Sequence, residues 1–178
     1  MKGTDLFIAC SLDGYIADLE GGVDWLFSDQ DYGYKEFYDN VDALVMGRLT
    51  WEKALSFGEW PYTGKRSLVF SSKHAGEEDE DVEFVSGGLP QVLEELSVQE
   101  ESRIWLVGVG HLIRSCLEHD LVERFFLFVH PILLGEGLPL FPGPFPRREL
   151  RLDGCRADDS GLVELRYVRS EAAPEGSK

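Results

Sequence analysis

Three short stretches combine residue types that hold anions. Gly108–Val109–Gly110 follows the apolar run Ile104–Trp105–Leu106–Val107 and precedes the helix-like pattern His111–Leu112–Ile113. This reads as a strand buried on both faces, a tight glycine turn and a helix. Backbone without Cβ atoms lets a ligand come close, and the unpaired N–H groups of a helix start favour an anion such as a pyrophosphate. Gly47–Arg48–Leu49–Thr50 repeats the plan after the run Val41–Met46, adding a hydroxyl and a guanidinium able to pair bidentately with a phosphate. Ser71–Ser72–Lys73 closes a third run, Arg66–Phe70, and hydroxyls with an ammonium at a strand end suit a phosphate or a ribose. Each stretch also has a plain structural reading: glycines that let a helix pack on its strand, a surface arginine, an ordinary loop. A G-x-G without a third glycine, and without an acidic residue ending the next strand, is not by itself a dinucleotide fingerprint.

Other chemistries find less support. Cys10, Cys116 and Cys155 lie far apart with no metal-ligand spacing, so they read as reduced thiols, two of them buried, and no metal site is expected. A formal net charge of -16 argues against a nucleic-acid or anionic-membrane binder, since both need basic surface. Much of that charge sits in solvated runs such as Glu77–Asp81. Asp24, Asp29 and Asp31 precede the aromatic positions Tyr34, Phe37 and Tyr38. They read first as helix caps or surface charge, and the aromatic face as core. His74, His119 and His130 read as structural.

The elements that must position these residues alternate. Apolar runs of strand length at Leu6–Cys10, Val41–Met46, Arg66–Phe70, Ile104–Val107 and Phe125–Val129 are separated by helix-like segments. The chain then ends in Leu150–Cys155 and Leu162–Val168 around the turn Asp158–Gly161. This predicts a three-layer α/β/α domain, its mixed sheet mostly parallel with antiparallel C-terminal strands. In such sheets ligands bind outside the carboxyl ends of the strands, where all three anion-holding stretches fall. With 178 residues and no linker or repeat, a single domain over 1–170 is expected, followed by a disordered polar tail over 171–178. No leader or membrane-spanning run is visible, so a cytoplasmic protein is expected. Phe125–Val129 and the apolar terminal strands suit a homodimer, and equally a buried core.

Taken in order, Ser11–Leu12–Asp13–Gly14–Tyr15–Ile16–Ala17, Val45–Met46–Gly47–Arg48–Leu49–Thr50–Trp51, Leu68–Val69–Phe70–Ser71–Ser72, Ile104–Gly110 and Pro131–Phe141 resemble the dihydrofolate-reductase-like superfamily. Within it, the chain is similar to the reductase domain of the bifunctional riboflavin-biosynthesis deaminase-reductase and its stand-alone relatives. The resemblance implies NADPH as hydride donor. By position, Gly47, Arg48 and Thr50 would hold its phosphates and adenosine side, with Ser71, Ser72 and Lys73 near the 2′-phosphate. Gly108, Val109, Gly110, His111 and Leu112 would wrap the pyrophosphate and nicotinamide end, and Ala9 with the Asp13–Gly14 turn would line the nicotinamide and substrate mouth. The carboxylate that serves the substrate ring in dihydrofolate reductases would be Asp31, with Asp24 and Asp29 as rivals.

The implied activity is NADPH-dependent reduction of a pyrimidine- or pterin-like heterocycle. The nearest named reaction is that of 5-amino-6-(5-phosphoribosylamino)uracil reductase. Dihydrofolate reduction, a non-catalytic nucleotide-binding module and a purely structural subunit are the alternatives. The chain departs from the pattern in three places. Its glycine turn has Val109 between the glycines, Gly58–Glu59–Trp60–Pro61 stands where a phosphate-binding loop would be expected, and the zinc-binding deaminase half is absent.

Overall fold

The structure, a computed structural model, describes residues 3–74, 77, 79–99, 102–108 and 110–170. Val109 and the tail 171–178 lie outside the described residues. The strands are β1 (Thr4–Ser11), β2 (Tyr15–Ala17), β3 (Ala43–Gly47), β4 (Arg66–Phe70), β5 (Glu83–Val85), β6 (Ile104–Val107), β7 (Val122–His130), β8 (Leu138–Pro139), β9 (Leu150–Ala157) and β10 (Val163–Arg169). The helices are α1 (Tyr34–Asp39), α2 (Arg48–Leu55), α3 (Leu89–Glu94) and α4 (His111–Glu118), with a π-helical turn at Glu95–Gln99 after α3.

Eight strands form one sheet in the order β5-β4-β3-β6-β1-β7-β10-β9. From β5 to β7 every neighbouring pair is parallel, and β10 runs against both β7 and β9. The expected mixed sheet with an antiparallel C-terminal end is therefore present. Strands buried on both faces explain the continuous apolar runs. Leu6, Val45, Leu68, Ile104 and Leu106 pack beneath α3 and α4, through Leu93, Ile113 and Cys116. On the opposite face Leu44, Met46, Val69, Trp105 and Val107 pack against Phe37 of α1 and Ala54 of α2. These two cores make the three layers.

Two details differ from the sequence reading. The helix for which Asp29 and Asp31 read as caps begins only at Tyr34, because Gly33 takes φ 89°, a left-handed conformation that starts the helix late. β7 is longer than expected and lies between β1 and β10. Phe125 and Phe128 are buried there, so this strand is core and offers no edge to a partner. Four exposed apolar side chains, Phe141, Phe145, Leu150 and Leu152, lie on or before the edge strand β9. Cys10 and Cys116 are buried and Cys155 is exposed, all three free. Among the described residues no helix is long and apolar enough to cross a membrane.

Candidate functional site

Two crossovers leave neighbouring strands in opposite directions. From β3 the chain passes through α2, on one face, outward to β4; from β6 it passes through α4, on the other face, past β1 to β7. Where connections diverge like this, a crevice opens outside the carboxyl ends of the strands. The two glycine turns form its walls and meet there. Gly108 has φ +101°, and a Cβ built on it would lie 2.1 Å from Thr50 Oγ1. Only glycine allows the first turn of α2 to press so closely on the end of β6. Gly47 and Gly110 behave differently, since an added Cβ at either finds nothing within 4 Å. They leave bare backbone beside open space at the starts of α2 and α4.

The side chains around the crevice are already partly engaged. Arg48 pairs with Glu52 one turn along α2. Ser71 is buried, and its Oγ accepts the N–H groups of Lys73 and His74, each at 3.3 Å. It shapes the turn after β4, while Ser72 and Lys73 are exposed. His74 stacks on Phe84 at 5.2 Å and meets the edge of Trp51 at 5.5 Å, making an aromatic wall beside that turn. His111 is exposed at the start of α4, and Leu112 packs partly on the core.

The next strand, β1, carries the second half of the site. Its end lies beside β7, with Ala9 opposite Phe128 and Ser11 opposite His130. Over this pair opens a cleft of about 470 Å³, lined by Phe7, Ala9, Phe27, Tyr34, Phe128 and His130, with Asp31 in its wall. Its flat, mostly apolar lining suits a planar ring, with a few polar groups to orient it. Burial, followed by the neighbouring Tyr62 and Tyr38 hydroxyls and the Asp31 charge, raises the ionisation of the Tyr34 phenol well above its ordinary value. It remains a neutral hydrogen-bonding group at any physiological pH.

His130 holds the cleft's outer loop. Its Nε2 accepts the Phe27 N–H at 3.2 Å and its Nδ1 lies 3.2 Å from Phe128 O. Together these bonds require the neutral ring protonated on Nδ1. Burial lowers its proton affinity, in the same direction. Trp25 and Phe27 pack on the ring at 5.2 and 4.8 Å.

The expected acids fall differently. Asp31 lies before α1, where Oδ2 accepts the Gly33 N–H at 3.1 Å and Oδ1 accepts the Lys35 N–H at 3.0 Å. It borders the cleft while capping the helix start. Asp24 is exposed and is not among the cleft-lining residues, and Asp29 accepts the Tyr32 hydroxyl. Asp13 joins the β1–β2 turn to the loop after β7. It accepts Ser11 Oγ at 2.5 Å, Gly135 N–H at 2.7 Å and Leu134 N–H at 3.2 Å. Those bonds, the Ser11 hydroxyl first, hold its carboxyl below the usual range. Gly14 follows with φ +84°, completing the turn at the mouth.

Sequence reasoning leaves Phe7, Phe27 and Phe128 unassigned and His130 structural. The available signal is the period of two along β1 and β7, which places Phe7 with Ala9 and Phe128 with His130. It becomes informative only once the register of the two strands is known.

The family model for the RibD C-terminal domain matches residues 5–164. The uncharacterised protein YwjB of Bacillus subtilis is 36% identical over 174 residues, covering 95% of this chain and 99% of YwjB. A protein from Shewanella sp. PV-4 assigned to riboflavin biosynthesis superposes with a TM-score of 0.84 at 31% identity, covering 95% of this chain and 99% of that one. A pyrimidine reductase-like protein of Corynebacterium diphtheriae shares the fold, with a TM-score of 0.73 at 15% identity over 96% of this chain and 92% of its own.

Proposed function

For a chain that belongs to the RibD C-terminal domain family, we propose the work of an NADPH-dependent reductase of a pyrimidine- or pterin-like heterocycle, carried out by residues 1–170 as one domain. The nearest named reaction is 5-amino-6-(5-phosphoribosylamino)uracil reduction in riboflavin biosynthesis. One observation carries the reading. The glycine crevice and the aromatic cleft lie on either side of the same strand end, because β1 stands between β6 and β7. A dinucleotide in the first and a flat ring in the second meet over Ala9, whose small side chain keeps them within reach.

The residues fit the cofactor. Open backbone at Gly47 and Gly110 and the two helix starts favour its phosphates. Arg48 reaches them by exchanging its pair with Glu52, an i,i+4 contact worth only about 0.2–0.5 kcal/mol. Ser72, Lys73 and the aromatic wall of Trp51 and His74 flank the adenosine side. NADPH supplies the hydride when bound. Phe7, Phe27 and Phe128 exclude water from the facing ring, and Asp31, with Asp24 as its rival, delivers the proton to the ring nitrogen. The occupation of both Asp31 oxygens by backbone N–H groups favours one second reading, a nucleotide-binding module without turnover. The protein works in the cytoplasm, where its three free thiols are at home, and as a homodimer paired through the exposed side chains around β9.

The test is thermal unfolding with saturating NADPH or NADH, followed by cofactor oxidation across a panel of heterocycles. A ligand at a hundred times its dissociation constant stabilises by roughly 2.7 kcal/mol, which shifts the midpoint of a domain this size by about 5–10 °C. The expected result is that shift with NADPH, a smaller one with NADH, and at least a tenfold weaker NADPH affinity in Arg48→Ala. No shift with either cofactor overturns the reading. A shift without oxidation of any heterocycle favours the binding module.

A further inference from the structure

The segment 23–32 has no helix or strand of its own, yet it supplies Leu26, Phe27 and Tyr32 to the cleft wall. Its backbone is tied to the sheet at Tyr32 O, which accepts Arg156 of β9, and over β7 by the Phe27 N–H, donated to His130 Nε2. We propose that His130 is a positioning residue: its uncharged imidazole, donating from Nδ1 to Phe128 O and accepting at Nε2, holds this segment against β7 and keeps the aromatic cleft formed, and a second proton on the ring releases it. The identification of the cleft as the substrate site rests on the function proposed above; the clamp itself does not.

The chemistry is a matter of donors and acceptors. With Nε2 protonated, two N–H groups would face each other across 3.2 Å, and a backbone donor whose acceptor is lost at a part-buried position has to move to water. Among the described residues no carboxylate bonds to the ring, and burial outweighs the one group that favours the added charge, the Phe128 carbonyl. On the segment itself, Asp24 is exposed, Asp29 is bound to the Tyr32 hydroxyl, and Asp31 is bound to two backbone N–H groups. On the β1–β2 turn, Asp13 is bound to Ser11, Leu134 and Gly135. On the β9–β10 turn, Asp158 accepts the Ser160 N–H and Gln30 Nε2. Arg156 of β9 donates to Tyr32 O, and so brings a cation to the same segment. Among the described residues none of these charged groups bonds to the imidazole. Trp25 and Phe27 press on the ring from the segment side. Burial lowers the histidine's proton affinity below its ordinary value. The clamp is therefore shut at pH 7 and above, and opens as pH falls through a midpoint lower than the ordinary histidine one.

The experiment measures the protection factor of the Phe27 amide by hydrogen exchange between pH 7.5 and 5, corrected for the intrinsic rate, in the wild-type protein and in His130→Gln. A glutamine offers an amide oxygen at the reach of Nε2 without titrating. Trp25 fluorescence, read in a Trp51→Phe background to remove the Trp51–His74 pair and as the difference from the same protein carrying Trp25→Phe, which subtracts Trp60 and Trp105, gives the second signal. The expected result is at least a tenfold fall in Phe27 protection in the wild type, with Trp25 changing at the same midpoint and both responses flat in His130→Gln. Phe27 protection that is constant with pH in the wild type overturns the proposal without needing a variant. So does an equal fall in His130→Gln. If NADPH or heterocycles fail to bind while Phe27 protection behaves as expected, the assigned function falls and the clamp stands.

Discussion

Replacing Gly108 with alanine perturbs the point where the two glycine turns meet. Two costs add. The residue has φ +101°, and a left-handed conformation costs an L side chain about 1–2 kcal/mol. The new methyl group would also lie 2.1 Å from Thr50 Oγ1, 2.8 Å from its Cγ2 and 2.9 Å from its Cβ. Overpacking of this kind costs roughly 1–3 kcal/mol when the neighbour must shift, and here the neighbour includes a Cβ tied to helix backbone. The expected loss is therefore about 2–5 kcal/mol, measured by urea unfolding at constant m-value. A double-mutant cycle separates the two costs. Thr50→Gly removes all three contacts, so Gly108→Ala in that background should cost only the conformational part, leaving a coupling of about 1–3 kcal/mol. NADPH should stabilise Gly108→Ala less than the wild type, because α2 is pushed off the crevice. A loss below about 1 kcal/mol, or additivity within about 0.5 kcal/mol, would refute the close approach of α2 to β6 as the reason for this glycine.

Three further outcomes are expected. Asp13 has a lowered folded-state pKa, so its contribution to stability is complete above the ordinary carboxylate range and is lost as pH falls through the folded value; Asp13→Asn should flatten the acid limb of a stability-versus-pH curve, and an unchanged limb counts against its role as a loop tie. A chromogenic disulfide reagent at pH 7.5 should label Cys155 at once and the other two thiols only on unfolding, since burial pushes Cys10 up to about 11 and Cys116 up to about 12; fast labelling of more than one thiol in the native state contradicts this. Leu152, 52% exposed on the sheet edge, should when changed to Glu convert the proposed dimer to a folded monomer by light scattering and circular dichroism. An unchanged mass places the interface elsewhere.

Local signals carried much of the fold. The apolar runs of β3, β4 and β6 are buried on both faces and need no partner to be recognised, and the glycines after β3 and β6 mark the helix starts where they stand. Gly33 was harder to read, because its φ of 89° delays α1 past several good N-cap residues. The reading of Phe125–Val129 stayed open between interface and core, because such a run has the same composition in a sheet interior as on a sticky edge. The site divides in the same way. The two glycine turns lie in contiguous sequence, so the placement of Gly47, Arg48, Gly108 and Gly110 at strand ends and helix starts was legible. The cleft joins Phe7, Phe27 and Phe128 from segments whose proximity depends on register, and His130 shows its purpose only through a bond to a residue 103 positions away.

The placement of β1 also bears on how the chain is made. β1 is made well before either of its neighbours and sits inside the finished sheet, with Thr4 paired to Ile104 on one side and Val122 on the other. At about 5–20 residues per second, several seconds pass before either partner exists, and β1 spends them as an apolar strand with both edges unpaired. The late arrival of β6 and β7 makes closure of the central seam a slow, non-local step. A nascent chain stalled before residue 104 should depend on chaperones, while one that has cleared residue 130 should not.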